Sequence, residues 1–495
     1  MSTRPAQRRP NIVLITTDQQ RFDTTGPDAP PFLRTPHLDH LAREGITFRR
    51  AYADCPVCIP SRISIMTGLQ GFSHGMLGNG RLPDGTLPID RARSLPARMR
   101  ALGYQTAAIG KMHFMPMRAR YGFEEMILPD DYYHQMARFS WAAGIGQPMQ
   151  HGLGQNELYP SMATVPESYT LTAWIVDQCV EYIKRRRDPL VPFFLWCSFS
   201  KPHPPLDPPE PYYSMYRDAP LPDPWIGAWS EGPECPKAFR HFRESWSLDL
   251  LPPDVLRAAR AAYYGLITQI DYHVGRLFAA LQDLDLFNET VFLFTSDHGE
   301  LLGDHHSGAK SFFYEGSAHV PFILRLPPSW EGRPVGTTID LPVCLADVFT
   351  TCLAAAGGQV EPEIDGQDLI ALATGRLEQP RAWLEAACGR PQPHWHGLTD
   401  GRWKYLYYFG DGREQLFDLD TDPHELTNLA ENPSHRSTLE ACRAMLVERL
   451  ERRRSSLVEH GRLVVRPLPD EPLARRRARP WPGYHTTEYP VDVRH

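Results

Sequence analysis

Two cysteines three residues apart lie just before a proline and an arginine, in a segment whose side chains could do chemistry. They are Cys55 and Cys58, followed by Pro60 and Arg62. A C-x-x-C pair is typical of a redox dithiol or of half a zinc site. The sequence has no second C-x-x-C and no nearby histidine pair to complete a zinc set, and the proline and arginine have no evident part in thiol exchange. Taken alone, the pair also fits two thiols packed in a core.

Polar residues that follow predicted strands form a second group of interest. The apolar strand that starts at residue 11 runs into Asp18 and Gln19, and the strand that starts at residue 290 runs into Asp297 and His298. The carboxyl ends of parallel strands meet at one edge of a sheet, so these side chains could together bind a divalent cation through oxygen and nitrogen atoms. Each pair alone would equally fit a helix cap or a turn.

Two further predicted strands are followed by basic residues. Lys111 and His113 follow one strand, and His203 follows the other. Any of them alone would fit a surface or loop position. Asn79 stands between two glycines, where it either reaches a pocket and binds substrate or forms a plain tight turn.

The spacing of these residues resembles the type I, formylglycine-dependent sulfatase family of the alkaline phosphatase superfamily. The segment Cys58-Ile59-Pro60-Ser61-Arg62, followed by Thr67-Gly68, resembles the motif whose cysteine is oxidised to formylglycine. Four further motifs follow in the family's order from residue 103 to about 430: Gly103–Thr106 with Gly110–His113, Ser296–Glu300, Lys310 with Tyr314-Glu315, and Phe417–Leu419 with Asp422–Glu425 and Asn428-Leu429. Motifs in register over this length are a far stronger signal than any one of them.

The resemblance implies hydrolysis of sulfate esters, as in an arylsulfatase. The nucleophile would be the hydrate of a formylglycine made from Cys58 by a maturation enzyme. One hydroxyl of the hydrate attacks sulfur, and the other expels the sulfate from the covalent sulfo-enzyme intermediate. A sulfate ester is an anion, so the site must also neutralise the ester's oxygens.

The resemblance also gives the basic residues roles in catalysis. Lys111 would bind sulfate oxygens, and His113 would assist elimination from the hydrate. His203 would donate a proton or a hydrogen bond to the leaving-group oxygen. Lys310 would bridge that oxygen and a sulfate oxygen, and Arg62 would hold the hydrate and organise the metal shell.

The implied metal ligands are Asp18, Gln19, Asp297 and His298, together with position 58. The commonest family pattern has an acidic residue in place of Gln19 and an asparagine in place of His298. A carboxylate-rich oxygen cage suits Ca²⁺, whereas an imidazole shifts preference toward Mn²⁺, so both ions stay open.

The same Asp-Gln and Asp-His pairs resemble phosphonate monoester hydrolases, relatives that cleave phosphonate monoesters and phosphate diesters with the same modified cysteine. Those relatives replace Lys111 and His113 with hydroxyl residues, and this chain keeps both. The first hypothesis is therefore a sulfatase, and the second is a phosphonate monoester hydrolase or phosphodiesterase. A third is a catalytically silent metal-binding scaffold in which Cys58 stays a thiol.

These residues must be positioned by a large α/β domain. Apolar runs that end in polar residues alternate with helical stretches, which predicts a doubly wound, mixed but mainly parallel sheet flanked by helices. One such helix begins with Thr35 as its cap. We expect the catalytic domain to cover residues 1–375, a small α+β subdomain residues 376–460, and an extended tail residues 461–495.

The subdomain is predicted from two strands and a helix. The strands Trp403–Tyr408 and Gln415–Leu419 flank a turn, and the helix at 433–457 has four apolar residues on one face. We expect a homo-oligomer in which the tail packs on a neighbouring copy.

Composition narrows the partners. The chain has 495 residues and a net charge of -7, which argues against an electrostatically driven binder of nucleic acid or anionic membranes. No apolar stretch reaches membrane-spanning length, and nine irregularly spaced cysteines are typical of reduced thiols, so we expect a cytoplasmic protein. The expected substrate is a small sulfate, phosphonate or phosphate ester.

Overall fold

The structure is a computed structural model that describes residues 9–246, 248–390 and 393–468, without the side chains of 140–143 and 249. Most of the predicted tail, from residue 469 onward, lies outside the described residues. Within them, no helix is both long enough and apolar enough to cross a bilayer.

The strands are numbered here in chain order. They are β1 (Asn11–Asp18), β2 (Ile46–Phe48), β3 (Ala51–Tyr52), β4 (Gln105–Gly110), β5 (Glu125–Ile127), β6 (Phe193–Pro202), β7 (Thr290–Ser296), β8 (Phe322–Arg325), β9 (Thr337–Ile339), β10 (Val343–Cys344), β11 (Leu384–Cys388), β12 (Trp395–Thr399), β13 (Trp403–Tyr408), β14 (Glu414–Asp418), β15 (Val458–Glu459) and β16 (Arg462–Leu463).

The α-helices are numbered in the same way. They are α1 (Pro36–Arg43), α2 (Cys58–Thr67), α3 (Gly71–His74), α4 (Leu95–Ala101), α5 (Pro129–Ala143), α6 (Leu171–Glu181), α7 (Tyr212–Met215), α8 (Lys237–Trp246), α9 (Pro253–Gln282), α10 (Glu315–Ala318), α11 (Asp347–Ala355), α12 (Leu369–Ala373) and α13 (Arg436–Arg452).

The central sheet of the described chain has eight strands in the order β5-β4-β6-β1-β7-β8-β2-β9. Strand β1 lies between β6 and β7 and is parallel to both, while β8 is antiparallel to its two neighbours. The sheet is therefore mixed and mainly parallel, and helices cover both of its faces. The predicted fold class is confirmed.

Strand β1 shows why its sequence lacks polar alternation. Ile12 and Leu14 pack into the core on one face of the sheet, and Val13 and Ile15 pack into the core on the other. All eight residues of the strand are buried. A strand covered on both faces reads as a continuous apolar run.

The first helix is present, but its predicted cap is wrong. The Thr35 side chain makes no capping hydrogen bond and contacts Asp39 instead. Asp271 of α9 accepts hydrogen bonds from the backbone N–H groups of His37 and Leu38, the latter at 2.7 Å. The carboxylate of Asp271 on the packed helix α9 thus caps the N-terminus of α1 in place of Thr35.

The C-terminal part contains a second, antiparallel sheet in the order β11-β12-β13-β14. The sequence predicts β13 and β14 but not β11 and β12. Strand β11 is rich in alanine, which has a low strand propensity, and β12 contains Gly397. A Cβ atom at Gly397 would lie 2.7 Å from Phe313, so packing requires the glycine there.

Helix α13 packs on this sheet through the predicted apolar face. Its buried residues are Leu439, Cys442, Leu446 and Leu450. The domain boundaries at 375 and 460 stay predictions; the second sheet begins at Leu384, and β16 forms a short hairpin with β15.

Candidate active site

The ends of two neighbouring central strands bring distant segments of the chain together. Asp18 ends β1, and Asp297 and His298 directly follow β7, whose Ser296 pairs in register with Thr17. Asp18, Asp297 and His298 are all fully buried. The sheet therefore places both predicted acidic pairs at one edge.

Helix α2 delivers the cysteine to the same edge. Cys58 is the first residue of α2, and its Sγ atom lies 3.1 Å from Nε2 of His298. One ligand atom from each of Asp18, Cys58, Asp297 and His298 lies within 4.8 Å of the others. The positive end of the helix dipole points at this cluster, which favours an anionic group at position 58.

The donor atoms of the cluster fit a divalent cation. Oδ1 of Asp18 is buried and has no hydrogen-bond partner. Nδ1 of His298 donates to the carbonyl oxygen of Gly299 at 3.0 Å, so Nε2 is the ring nitrogen that faces the cluster. Burial lowers the pKa of this imidazole, but Asp297 and Cys58 outweigh burial and raise it, so Nε2 would give up its proton to a bound cation. Burial, together with the charge of Asp18, raises the pKa of Asp297 to about 6. A cation would relieve that repulsion.

Gln19 lies beside the cluster with its side chain occupied. Its Nε2 donates to Glu300, and its Oε1 accepts from Nζ of Lys310. Its backbone N–H donates to Oδ1 of Asp297 at 3.2 Å, and its φ of 72° lies in the left-handed region that residues other than glycine seldom adopt. The structure brings Gln19 to the site, and its role as a metal ligand stays a prediction.

Arg62 ties the two acidic residues to the rest of the site. Its guanidinium lies 2.9 Å from Oδ2 of Asp297 and 3.4 Å from Oδ2 of Asp18. It also donates to the backbone oxygen of Lys111 and to Oγ of Ser198, the latter at 2.9 Å. A buried arginine with this many partners fixes the geometry of the carboxylates.

Lys111, Lys310 and His203 form a basic wall around the cluster. Nζ of Lys111 lies 2.5 Å from Oδ2 of Asp18, and Nζ of Lys310 lies 3.2 Å from Nε2 of His203. Burial lowers the pKa of His203, and the two lysines lower it further, so this imidazole is neutral. Its Nδ1 donates to the carbonyl oxygen of Pro204 at 2.8 Å, which leaves Nε2 as the acceptor.

The same positive charges act on the acidic groups. Burial raises the pKa of Asp18, but Lys111 and other cationic neighbours outweigh it and hold that pKa well below its usual range. Burial and Asp18 raise the pKa of Cys58, but Lys310, His298 and Lys111 lower it well below the usual value of a thiol. The site is built to stabilise anions.

Two further predicted residues adjoin residues of the site, His113 along the chain and Asn79 through a hydrogen bond. Nδ1 of His113 is buried without a hydrogen-bond partner, and the backbone there is left-handed, with φ at 57°. Oδ1 of Asn79 accepts a hydrogen bond from the backbone N–H of Ile59 at 3.1 Å, directly after the cysteine. Asn79 thus supports the start of α2, and its role in substrate binding stays a prediction.

Two functional partners are not predicted from the sequence. Glu300 accepts from Gln19 and from the backbone N–H groups of Leu302 and Ala309, which positions the loop that carries Lys310. Ser198 accepts from Arg62 and donates to the backbone oxygen of Lys111 at 2.6 Å. Glu300 belongs to the Ser296–Glu300 motif, and Ser198 lies near the end of a buried strand. Either feature could have marked the residue as a candidate for the site.

Comparison with known proteins gives a consistent result. The sulfatase family model matches residues 10–358, and the model for the C-terminal region of N-sulphoglucosamine sulphohydrolase matches residues 303–455. An arylsulfatase of Clostridium perfringens is 34% identical over 476 residues, which cover 92% of this chain and 97% of that protein. A choline-sulfatase of Rhizobium meliloti is 32% identical and covers 88% and 86%.

A solved structure supports the same relationship. The phosphonate monoester hydrolase of Agrobacterium radiobacter superposes with a TM-score of 0.75 at 25% identity, over 93% of this chain and 100% of that one. The fold and the clustered site define an alkaline-phosphatase-like hydrolase. The chain belongs to the sulfatase family and is a sulfuric ester hydrolase.

Proposed function

We propose that this chain hydrolyses sulfate esters of small molecules by means of a formylglycine at position 58, held beside a divalent metal ion. One observation carries the proposal. The buried Cys58 begins a helix among Asp18, Asp297 and His298, and basic side chains surround the group.

Cleavage of a sulfate ester needs positive charge near the ester's oxygens and a nucleophile to attack sulfur, and the side chains of the site can supply both. Lys111 and Lys310 lie where they can neutralise the ester's oxygens. The hydrogen bond to the leaving group is assigned to Lys310, because the neutral His203 beside it uses its one proton on Pro204 and cannot be the donor that the sequence predicts. Arg62 holds the two carboxylates so that position 58 keeps its place. The hydrated aldehyde would supply two hydroxyls, one to attack sulfur and one to expel sulfate, through the covalent sulfo-enzyme intermediate.

The metal site would be formed by Asp18, Asp297 and His298 with position 58, and Gln19 is proposed as a further ligand. A bound divalent ion would supply positive charge to the substrate's oxygens and to the nucleophile. The imidazole favours Mn²⁺ over Ca²⁺ relative to an all-oxygen cage. Activity of metal-stripped protein should return on adding one of these ions, and unchanged activity after stripping would contradict a metal role.

The formylglycine would require a maturation enzyme. In the conversion the Cys58 side chain loses its sulfur and two hydrogen atoms and gains one oxygen, with an external oxidant. Cys58 is only 2% exposed in the folded chain. We therefore propose that the maturation enzyme acts on the segment before it folds.

A second candidate is the hydrolysis of phosphonate monoesters or phosphate diesters at the same site. The structural likeness to a phosphonate monoester hydrolase favours it, as do Gln19 and His298. Lys111 and His113 favour the sulfatase. Because both substrates present tetrahedral oxyanions, we expect activity on both, with sulfate preferred.

The test compares phenyl sulfate with a phenyl phosphonate monoester, using Cys58→Ala as the inactive control. The proposal predicts a higher kcat/KM for the sulfate and loss of both activities in the variant. A large preference for the phosphonate would select the second candidate. No turnover of either ester, with an unmodified thiol at position 58, would indicate a silent scaffold.

We also propose a reducing compartment such as the cytoplasm. All nine cysteines are buried free thiols, which supports this placement.

A further inference from the structure

A cavity of about 750 Å³ is lined by the residues next in sequence to two members of the active site, and we call it the Arg390 pocket. Val57, which precedes Cys58, and Ser311, which follows Lys310, both line it. Its size suits a sugar or an aromatic ring. A pocket in this position would hold the part of the substrate that leaves after sulfate is transferred.

Part of the lining is aromatic and comes from distant parts of the chain. It includes Phe242 of α8, Phe312 and Trp395 of β12. Ring faces of this kind pack against planar or sugar rings and also attract cations. The aromatic wall alone therefore leaves the charge of the substrate open.

Arg390 decides that charge. It is exposed in the pocket wall, and its stem crosses Gly78 and Gly80, where a Cβ atom at Gly80 would collide with the guanidinium. Its Nη1 donates to the backbone oxygen of Asn79 at 3.2 Å. Asn79 in turn accepts from Ile59, so the guanidinium is tied to the start of the nucleophile helix.

The described lining residues include no aspartate or glutamate, and no described carboxylate forms an ion pair with Arg390. His394 also lines the pocket, and burial lowers the pKa of its imidazole, which favours the neutral form. The permanent positive charge is that of Arg390. An unpaired guanidinium repels a quaternary ammonium and matches a planar carboxylate or a sulfate through paired hydrogen bonds.

We propose that the Arg390 pocket selects sulfate esters whose leaving group is a ring with a second anionic substituent, a carboxylate or another sulfate. This inference rests on the proposed function and deepens it. It excludes a cationic leaving group, such as that of the choline-sulfatase relative, as the preferred substrate.

The experiment measures kcat/KM for esters with matched leaving groups. They are 3-carboxyphenyl sulfate, its neutral isostere 3-carbamoylphenyl sulfate, 1,3-phenylene disulfate, unsubstituted phenyl sulfate and choline sulfate. The proteins are the wild type, Arg390→Gln, Arg390→Lys and the control Arg376→Gln, which alters an exposed arginine outside the pocket.

The wild type should prefer the carboxylate or the disulfate over the amide by about tenfold, the value of one charge-assisted pair. Arg390→Gln should bring that ratio near one, Arg390→Lys should keep part of it, and Arg376→Gln should keep all of it. If Arg390→Gln does not fold, the wild-type ratio decides.

Two results would overturn the inference while leaving the proposed function intact. The first is turnover of phenyl sulfate with no preference for either anionic ester over the amide. The second is a kcat/KM for choline sulfate above those of the anionic esters. Failure of the wild type on every sulfate ester, with formylglycine present at position 58, would instead refute the proposed function and this inference with it.

Discussion

Lys111 is the basic residue that lies closest to the carboxylates of the site. Its Nζ is 2.5 Å from Asp18, and its side chain keeps about one fifth of its surface accessible, so it can contact both the cluster and a bound ester. Replacing it with alanine removes a positive charge from the position where negative charge develops. We expect kcat/KM for phenyl sulfate to fall by roughly 100-fold, the effect of losing one oxyanion-stabilising donor.

The matched control for Lys111→Ala is Lys184→Ala, which removes an exposed lysine paired with Asp283 far along the chain. It should retain the wild-type rate. His113→Ala belongs to the same series and should also reduce sulfate turnover strongly. Near-normal rates in either active-site variant would remove that residue from the mechanism.

Asp54 should make the stability of the fold depend on pH. Burial raises the pKa of Asp54 to about 7, and its Oδ1 has no hydrogen-bond partner. The folded state therefore holds a proton that the unfolded chain releases near pH 4. This contribution to stability is complete below pH 4 and is lost as the pH rises to about 7, by an amount on the order of 4 kcal/mol.

Asp54→Asn resembles the protonated form and removes this dependence. Urea unfolding midpoints at pH 5 and pH 8 would measure the effect. The wild type should lose more stability between these values than the variant does. Equal losses in the two proteins would show that Asp54 titrates normally in the folded chain.

At the level of single residues, the sequence located the reactive groups but not their supports. Cys58, Asp18 and Asp297 lie in motifs whose chemistry is visible in the residue types. Glu300 and Ser198 act through hydrogen bonds to Gln19 and Arg62, and such pairings depend on side-chain directions that no spacing reveals. For the same reason, the sequence does not predict that the Gln19 side chain accepts a hydrogen bond from Lys310.

Strand β13 joins the second sheet to the segment that follows Lys310. Lys404 of β13 is fully buried, and its Nζ lies 2.5 Å from Glu315 and 2.8 Å from Glu425. Lys404→Ala would leave Glu425 buried without its cation and Glu315 with His319 as its remaining partner. We expect a loss of about 3 to 5 kcal/mol in the free energy of unfolding, seen as a lower thermal midpoint.

Arg402 offers a matched control because it lies two residues away and is 53% exposed in its pair with Asp418. Arg402→Ala should cost at most about 1 kcal/mol, since solvent screens exposed pairs. Equal destabilisation by the two substitutions would contradict the view that Lys404 fastens the second sheet to the catalytic domain.

At the level of elements, the sequence predicts those with strong apolar or periodic patterns and not those with weak ones. Strand β7 starts at Thr290, where the sequence predicts a strand from its long apolar run. The sequence does not predict strands β11 and β12, because their alanines and Gly397 suit packing and have a low strand propensity. The cap of α1 was misassigned because Asp271 is distant in sequence.

For the molecule as a whole, the oligomeric state is a prediction from the length and the aromatic residues of the tail beyond residue 468. Light scattering on the full chain should give a multiple of 56.3 kDa. A single-chain mass at micromolar concentration would refute the homo-oligomer.

The chemical state of residue 58 tests the account most directly. Peptide mapping by mass spectrometry, on samples co-produced with varying amounts of a maturation enzyme, gives the fraction converted to formylglycine, and phenyl sulfate turnover is measured on the same samples. The account predicts that turnover rises in proportion to the converted fraction. Full turnover in protein whose residue 58 is an unmodified cysteine would contradict it.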